Sequence, residues 1–444
     1  MNRTGKYIIR GLLGRGGMGK VFQVEIPPIG KIAALKLLAP HPVLLSLLGA
    51  DRVRELFLAE AVTMAGLQHP NIVAVRDFGE ADGRPYYIMD YFFSNLGRLI
   101  GETRRAEEPS RTIRLDRAIE LIRQTLSGLA CLHHFGIVHR DIKPFNLLID
   151  EHGAVKICDF GLSRLHGEPS APPAQLKVGS PWYAAPEQET DPDAVDPRAD
   201  LYAVGITLVR MLTGELPSNP PAPPSGANPD LDEAWDEFLL RAIDRDPGRR
   251  LESAAAMQLA LERLERSWHA RREQVCRLAP PAPAPVPTRW PLRRTAVRID
   301  PVRAQTQFGV DRLWRPAQLV SNDLAPAGPG ALHDRATGLI WQQSGSPYPL
   351  TWTAAQAYVK ELARRRTEDG HRWRLPTTPE LMSLVSRTPH GEDFCVAPAF
   401  DPLQGVLWSA DRRSFTAAWF VDVAMGYAGW QDFNARIYVR AVAD

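Results

Sequence analysis

The sequence predicts a multidomain α+β protein, in which a two-lobed unit, β-rich first and helical afterwards, precedes a small α+β domain. Strand-like runs open the chain at residues 7–13, 20–26 and 31–38, and helical patterns follow, as at residues 116–135. Strands first and helices second are typical of a unit with two lobes. A proline-rich run at residues 279–287 separates this unit from a tryptophan-rich remainder.

The domain boundaries follow from these shifts in composition. A chain of 444 residues is too long for one ordinary core. We expect a first domain over residues 1–268, a linker rich in proline and arginine over 269–312, and a C-terminal domain over 313–444. Ten arginines between residues 268 and 315 would suit an anionic partner. We favour a simple tether and find no strong nucleic-acid signal, because interleaved aromatic residues and compact spacing are missing.

Overall composition excludes several classes of protein. The formal net charge is only +2, and the four cysteines are widely scattered, so neither a zinc site nor a disulfide framework is indicated. No signal peptide opens the chain, and no run of roughly 20 apolar residues could form a transmembrane segment. We therefore expect a cytoplasmic protein.

A glycine-rich turn between two strands is the first candidate site. It contains Gly14, Gly16 and Gly19, with Val21 following. Glycines in such a turn let backbone N–H groups approach phosphate oxygens without a Cβ in the way. Taken alone, the pattern fits an ordinary hairpin equally well. A dinucleotide site is disfavoured because a β-rich run, and no helix, follows the glycines.

Lys36 and Glu60 strengthen the phosphate interpretation. Lys36 is the one charge in the apolar run A-A-L-K-L-L, seventeen residues after Gly19. A lone strand lysine is usually solvated at an edge, but beside a glycine-rich turn it suits the α- and β-phosphates of a nucleotide. Glu60 lies among apolar residues in the helical segment 51–67, where it can pair with that lysine.

Two further motifs reveal a family resemblance. H-R-D-I-K-P-F-N occupies residues 139–146, and I-C-D-F-G occupies residues 157–161. With the glycine-rich turn and Lys36 in the right order, these motifs resemble those of bacterial serine/threonine protein kinases over residues 7–268. The resemblance implies the two-lobed protein-kinase fold, with a β-rich small lobe and a helical large lobe.

The resemblance also implies the roles of the site residues. Asp141 would orient the acceptor hydroxyl, Lys143 would neutralise the γ-phosphate and mark serine/threonine specificity, and Asn146 and Asp159 would hold Mg²⁺, with Mn²⁺ as an alternative. The residues implied to bind ATP are Gly14, Gly16, Gly19, Val21, Lys36, Glu60, Met89 and Tyr91. Protein substrates are the implied partners.

Structural and regulatory positions follow in the same way. Asp200 opens an apolar segment that resembles the central helix of the large lobe, and Arg250 resembles the arginine that pairs with the A-P-E glutamate, here Glu187. The residues between 161 and 185 include no threonine, so activation by loop phosphorylation is not assumed.

Three residues bear on that regulation. Arg140 could clamp a phosphorylated loop residue. Ser180 takes the place where the family usually has a substrate-contacting threonine, and Ser170 is the best candidate phosphosite.

Seven of the eleven tryptophans lie after residue 312. They either fill a small core or form a ligand-facing aromatic surface, and we expect most of them in the core with one or two exposed. The seven are Trp314, Trp341, Trp352, Trp373, Trp408, Trp419 and Trp430.

The C-terminal region resembles a second family. The phrases T-G-L-I-W, L-T-W-T-A-A and W-R-L-P-T-T-P-E-L resemble the Lcl C-terminal domain, which is similar to C-type-lectin-like folds, over residues 332–442. That resemblance implies a binding domain for glycans or another ligand. The acidic residues are too dispersed for a calcium-dependent lectin, and Cys395 is the only cysteine there.

Two functional hypotheses remain from the sequence. The first is an ATP- and Mg²⁺-dependent serine/threonine protein kinase whose C-terminal domain binds a target or ligand. The alternative is a pseudokinase-type adaptor in which the lectin-like domain carries the function. All of Lys36, Glu60, Asp141, Asn146 and Asp159 are present, which favours the first.

Overall fold

The computed structural model divides the chain into two compact units, residues 1–277 and 278–444. The residues it describes are 3–103, 105–159, 164–165, 182–278, 291–364, 371–387, 394–397, 399–401 and 403–444.

A six-stranded antiparallel sheet forms the small lobe of the first unit, in the order β1-β2-β3-β4-β6-β5. Its strands are β1 (Arg3–Thr4), β2 (Tyr7–Arg15), β3 (Gly19–Ile26), β4 (Lys31–Leu38), β5 (Val75–Ala81) and β6 (Arg84–Asp90). Helices α1 (Pro42–Leu48) and α2 (Ala50–Gly66) connect β4 to β5. The last six residues of β4 are all buried, which explains the unbroken apolar run around Lys36.

The large lobe is mainly helical. Its strands are β7 (Ser94–Asn95), β8 (Ile137–Val138), β9 (Leu147–Ile149), β10 (Val155–Ile157) and β11 (Arg164–Leu165). Its helices are α3 (Leu96–Ile100), α4 (Leu115–His134), α5 (Glu187–Thr190), α6 (Arg198–Thr213), α7 (Glu233–Ala242) and α8 (Ala254–Leu278). Nearly every residue of α6 is buried, so this helix forms the centre of the lobe. The predicted β-rich small lobe and helical large lobe are confirmed.

The second unit is built from short strands around a tryptophan-rich core. Its helices are α9 (Pro301–Phe308), α10 (Trp352–Arg364) and α11 (Thr378–Met382). Its strands are β12 (Leu324–Pro326), β13 (Ala331–Asp334), β14 (Leu339–Gln342), β15 (Val385–Arg387), β16 (Phe394–Val396), β17 (Val406–Arg412), β18 (Ala417–Asp422), β19 (Tyr427–Asp432) and β20 (Val442–Ala443). They form sheets ordered β12-β13-β14-β20, β17-β18-β19 and β15-β16.

The seven tryptophans after residue 312 pack inside this unit. Trp341, Trp408 and Trp419 are fully buried, and Trp314 and Trp430 are partly buried and lie 5.1 and 5.2 Å from the Trp419 ring. None of the seven is exposed, so the expectation of one or two solvent-facing rings is wrong. The rings fill a core that short strands alone would leave open. The lectin-like fold stays a prediction.

Part of the predicted linker belongs to this second core. Ile299, Ala304 and Phe308 are buried there, and the Phe308 ring stands edge-on to Trp419 at 5.0 Å. Arg293 donates to both carboxylate oxygens of the buried Asp411, at 3.0 and 2.7 Å. The end of the predicted linker, residues 291–312, therefore packs into this unit and is not a tether. The predicted domain boundaries, 1–268, 269–312 and 313–444, remain a prediction.

Candidate active site

The three glycines at the junction of β2 and β3 serve different structural needs. A Cβ on Gly19 would lie 2.4 Å from the carbonyl oxygen of Leu37, so β3 and β4 can pair closely there only without a side chain. Among the described residues, Gly14 has no atom within 4 Å of where its Cβ would be, and Gly16 has only the Gly19 carbonyl oxygen, 4.0 Å away. The Gly16 N–H donates to that same oxygen at 2.8 Å. The turn is thus closed on itself and leaves open space over its first two glycines.

Lys36 is held by two carboxylates. Strand register places it opposite Val21 on β3 and Tyr87 on β6. Its Nζ lies 2.7 and 3.1 Å from the two oxygens of Glu60 and 2.8 Å from Asp159 Oδ1. These distances bring together residues that lie 24 and 123 positions apart in the chain.

Glu60 reaches Lys36 because of its position on α2. Phe57, Ala61 and Met64 are buried with it, a spacing that places all four on the face turned towards the sheet. The Glu60 side chain is 1% exposed, the Lys36 side chain 9% and the Asp159 side chain 45%. The cluster is therefore buried on the Glu60 side and open to solvent on the Asp159 side.

Tyr87 also belongs to this cluster, although the sequence motifs do not point to it. Its hydroxyl donates to Glu60 Oε1 at 3.0 Å, and its ring centroid lies 5.8 Å from Lys36 Nζ. The register between β4 and β6 places it there, and that register pairs strands about fifty residues apart. The apolar run Y-Y-I-M at residues 86–89 is the signal in the sequence that could have pointed to a buried strand carrying it.

Burial and charge act against each other in this cluster. Burial alone would lower the pKa of Lys36, but the charges of Asp159 and Glu60 outweigh it and hold that pKa well above its usual value. The Lys36 charge lowers the pKa of Asp159. Burial raises the pKa of Glu60, and Lys36 offsets this only in part. The ammonium at Lys36 is thereby fixed as a charged group.

The loop before β9 gathers three of the predicted catalytic residues. Lys143 Nζ lies 2.7 Å from Asp141 Oδ2. Asn146 Nδ2 donates to the backbone oxygen of Asp141 at 2.8 Å and to its Oδ2 at 2.9 Å. Asp141 is buried with one carboxylate oxygen shared by an ammonium and an amide. Such a carboxylate is held in one orientation and is suited to orient a hydroxyl.

Asp200 fixes the backbone of this loop from helix α6. Its carboxylate accepts the N–H groups of His139 and Arg140 at 2.9 and 2.8 Å, and His133 Nε2 lies 2.9 Å from it. Arg140 has a φ of +65°, a strained conformation for a residue with a side chain. Burial would raise the pKa of Asp200, but the hydrogen bond and charge of His133 outweigh it and lower that pKa.

The other predicted positions lie around this centre. Met89 is buried near the end of β6, and Tyr91 follows the last residue of that strand. Arg250 forms a two-pronged ion pair with Glu187, at 2.6 and 2.7 Å. Ser170 and Ser180 lie outside the described residues, so their predicted roles stay predictions.

The residues proposed for a metal ion are oxygen donors. Asp159 uses only Oδ1 for Lys36, and among the described residues no partner is recorded for its Oδ2. Asn146, the last residue of the turn Pro144–Asn146, supplies an amide oxygen. Within the described part of the chain, no group of three or more His, Cys, Asp and Glu could hold a metal by itself. Two such oxygens suit Mg²⁺ that arrives with phosphate ligands, because Mg²⁺ is usually bound by one or two carboxylates plus substrate phosphates.

Comparison with known proteins identifies the class. Residues 7–271 match the model of the protein kinase domain, and residues 330–443 match the Lcl C-terminal domain. The matched kinase segment covers more than half of the chain and contains every residue of the cluster above. The chain therefore belongs to the protein kinase family.

Individual relatives agree with this assignment. The serine/threonine-protein kinase pkn3 of Myxococcus xanthus is 32% identical over 286 residues, which cover 59% of this chain and 50% of that protein. The serine/threonine-protein kinase PksC of Streptomyces coelicolor is 35% identical over 288 residues, covering 60% of this chain and 50% of that protein. The chain thus spans about half the length of the curated relatives it matches.

One solved structure completes the comparison. The kinase domain of PknI from Mycobacterium tuberculosis is 27% identical, with a TM-score of 0.45, over 59% of this chain and 96% of that one.

Among the described residues, every helix is too short or too polar to cross a lipid bilayer.

Proposed function

We propose that this chain is a serine/threonine protein kinase that transfers the γ-phosphate of ATP to hydroxyl groups of proteins, with Mg²⁺ as the metal ion. The observation that carries the proposal is the contact of Lys36 with both Glu60 and Asp159. In the nearby loop, Lys143 and Asn146 both contact the carboxylate of Asp141. Phosphoryl transfer needs mainly positioning and charge neutralisation, and these groups supply both.

Each residue has a separate part in this mechanism. Lys36, kept charged and oriented by Glu60, binds the α- and β-phosphates beneath the glycine turn. Asp141 accepts a hydrogen bond from the acceptor hydroxyl and aligns it with the phosphorus. Lys143 neutralises charge on the transferred phosphoryl group.

Asp159 and Asn146 would hold Mg²⁺, which supplies neutralisation of the phosphate charge when it is bound. Lys36 and Lys143 each contact a carboxylate of the site, at 2.8 Å to Asp159 and 2.7 Å to Asp141. ATP therefore brings its phosphates to ammonium groups that are already charged and positioned.

The second unit carries a different proposal. Its match to the Lcl C-terminal domain supports a binding domain that selects a target or ligand for the kinase. A glycan ligand remains a prediction from the resemblance, because no observation in the described residues favours it.

The test is phosphate incorporation from labelled ATP into the protein itself and into a generic protein substrate. We expect label on serine or threonine with Mg²⁺ present, no label with a chelator, and loss of label in Asp159→Ala. Asp323→Asn, which changes a half-exposed carboxylate of the second unit, serves as a control and should keep the activity. Absence of transfer from the intact protein across several substrates would instead support the pseudokinase-type adaptor.

A further inference from the structure

Three arginines meet at one edge of the second unit. Two backbone hydrogen bonds, of 2.8 and 2.9 Å, join residues 297–299 in parallel to Arg412 at the end of β17. This bridge places Arg298 directly beside Arg412, and Arg413 follows in the chain. All three residues are exposed. Three positive charges are therefore concentrated where the end of the predicted linker pairs with β17.

Aromatic rings orient two of these arginines. The guanidinium carbon of Arg298 lies 4.2 Å from the centre of the Phe415 ring, in the turn between β17 and β18. That of Arg413 lies 4.7 Å from the centre of the Trp430 ring on β19. Phe415 is 75% exposed, so its ring restrains Arg298 without burying it. A guanidinium that lies over a ring keeps its N–H groups available to an anion.

The carboxylates on the neighbouring elements are already engaged. Asp411 is buried and accepts two hydrogen bonds from Arg293. Asp300 caps helix α9 with its carboxylate, and Asp432 on β19 accepts both the backbone and the side-chain N–H of Asn434. Among the described residues, none of the three guanidinium groups at this edge has a hydrogen bond or an ion pair. Their charges are therefore available to a ligand.

We propose that Arg298, Arg412 and Arg413, together the arginine edge, bind the phosphate group of a phosphorylated serine or threonine, so that the second unit holds protein segments that the kinase has modified. This inference rests on the proposed kinase function and names the ligand class of the second unit. A phosphate monoester carries a charge of roughly −1.5 to −2 at neutral pH, and its oxygens match the planar fork of a guanidinium. The hydroxyls of Ser414 and Thr416, 3.3 Å apart on the same turn, supply further donors.

A phosphorylated side chain fits this edge better than a nucleic acid does. Nucleic-acid sites align many cations along a phosphate backbone and offer open aromatic faces to the bases. The arginine edge occupies one bridge and one turn, which suits a single phosphate group. One face of each neighbouring ring, on Phe415 and Trp430, is taken by a guanidinium.

The test is the binding of labelled peptide pools to the full chain, measured by fluorescence anisotropy without ATP. One pool has a central phosphoserine or phosphothreonine with randomised flanking residues, and its twin has the unmodified residue. We expect the phosphorylated pool to bind about tenfold more tightly or better, the factor that one charge-assisted hydrogen bond contributes.

Substitutions at the edge assign this difference to its residues. Arg298→Ala and Arg413→Ala should each remove most of it. Arg298→Lys should restore only part, because an ammonium keeps the charge but lacks the planar fork. Phe415→Ala leaves every charge in place and should weaken binding several-fold, because it releases Arg298. Arg335→Ala, which removes an exposed arginine paired with Asp323, is the matched control and should bind like the wild type.

The outcomes separate this inference from the proposed function. Thermal melting identifies any variant that misfolds, and the folded ones are compared. Equal binding of the two pools, or unchanged binding in the folded arginine variants, overturns the arginine edge. Tighter binding of a short DNA strand or of dextran sulfate, lost in the same variants, overturns the phosphorylated side chain as its ligand.

Transfer of labelled phosphate from ATP is measured on the same protein. Transfer without discrimination between the pools overturns this inference alone. Selective binding without transfer overturns the proposed kinase function and supports the phosphate site.

Discussion

At the scale of single residues, the charge of Lys36 governs the site. A lysine inside a buried strand would ordinarily lose its proton, yet three carboxylate oxygens lie 2.7 to 3.1 Å from its Nζ. Tyr87 adds a donor to Glu60 and so limits the positions that this carboxylate can take. The buried side of the cluster is therefore rigid, and the exposed carboxylate of Asp159 is the part that can exchange partners.

Removing the Tyr87 hydroxyl tests this arrangement. Tyr87→Phe should lower kcat/KM for ATP by about ten- to a hundredfold, because a hydrogen bond to a charged group contributes roughly 1.5–3 kcal/mol. The measurement is phosphate transfer at several ATP concentrations. Tyr358→Phe, which removes the partner of a 2.8 Å bond from Gln342 in the second unit, should leave the value unchanged. Equal activity of the two variants would show that Glu60 needs no second anchor.

The depressed pKa of Asp159 gives a dependence of stability on pH. A carboxyl whose pKa is lower in the folded protein stabilises it above the ordinary value of 3.8, and this contribution disappears as the pH falls through the folded-state pKa. The difference in melting temperature between the wild type and Asp159→Asn should therefore be constant from about pH 5 to 8 and shrink below pH 3.8. A difference that persists at lower pH would contradict the ion pair with Lys36.

At the scale of elements, helix α6 orders the catalytic loop and strand β4 orders the glycine turn. Asp200, in the first turn of α6, accepts two successive backbone N–H groups and so holds Arg140 at a positive φ. On the other side of the site, Gly19 lets β3 approach the Leu37 carbonyl. Each motif is thus tied to a buried element.

Two glycine substitutions compare a packed position, Gly19, with an open one, Gly14. Gly19→Ala should lower the free energy of unfolding by about 1–3 kcal/mol, the usual cost of forcing an extra methyl group into a packed site. Gly14→Ala should change it far less, because no atom of the described residues lies within 4 Å of the new methyl group. Denaturant unfolding monitored by fluorescence measures both variants. Equal losses would contradict the assigned role of Gly19.

A substitution at Asp200 tests the anchor on α6. Asp200→Asn replaces a carboxylate by an amide and leaves one of the two backbone N–H groups without its charged acceptor, at a cost of about 1–3 kcal/mol. We expect a lower melting temperature together with reduced phosphate transfer. Asp196→Asn, a change of a side chain that is 35% exposed just before α6, is the matched control and should have a smaller effect on both.

Local motifs could be predicted from the sequence, and long-range partners could not. Lys36 and Glu60 stand out because charges interrupt apolar patterns, and Asp141, Asn146 and Asp159 lie in short recognisable phrases. Tyr87 and His133 were missed because strand register and helix packing bring them to the site from distant positions. Residues 293–310 looked like a linker because arginine and proline hide the apolar spacing of Ile299, Ala304 and Phe308.

At the scale of the whole molecule, the chain combines a protein kinase with a second compact unit. The second core includes Ile299 and Phe308, and Arg293 forms an ion pair with Asp411 of the same unit. Ile299, Phe308 and Arg293 all lie on the N-terminal side of the predicted boundary at residue 313. The unit that folds is therefore longer than its family match over residues 330–443.

Fragments of the second unit test that extent. Residues 291–444 should give a cooperative thermal transition, whereas residues 313–444 should not, because they lack the ring that packs on Trp419 and the partner of Asp411. Removing a buried phenylalanine alone costs about 3–5 kcal/mol, a large part of the stability of a small domain. Circular dichroism during heating measures this, and equal transitions would show that residues 291–312 are dispensable.

The central claim is tested most directly by the rate at which wild type and Asp141→Asn transfer labelled phosphate from ATP to serine or threonine at equal ATP occupancy. We expect a wild-type rate that falls by about 10²- to 10⁴-fold in the variant, the range for loss of a positioned proton acceptor. Equal rates in the two proteins, or no transfer by the wild type to any substrate, would contradict the assignment of this site as a kinase active site.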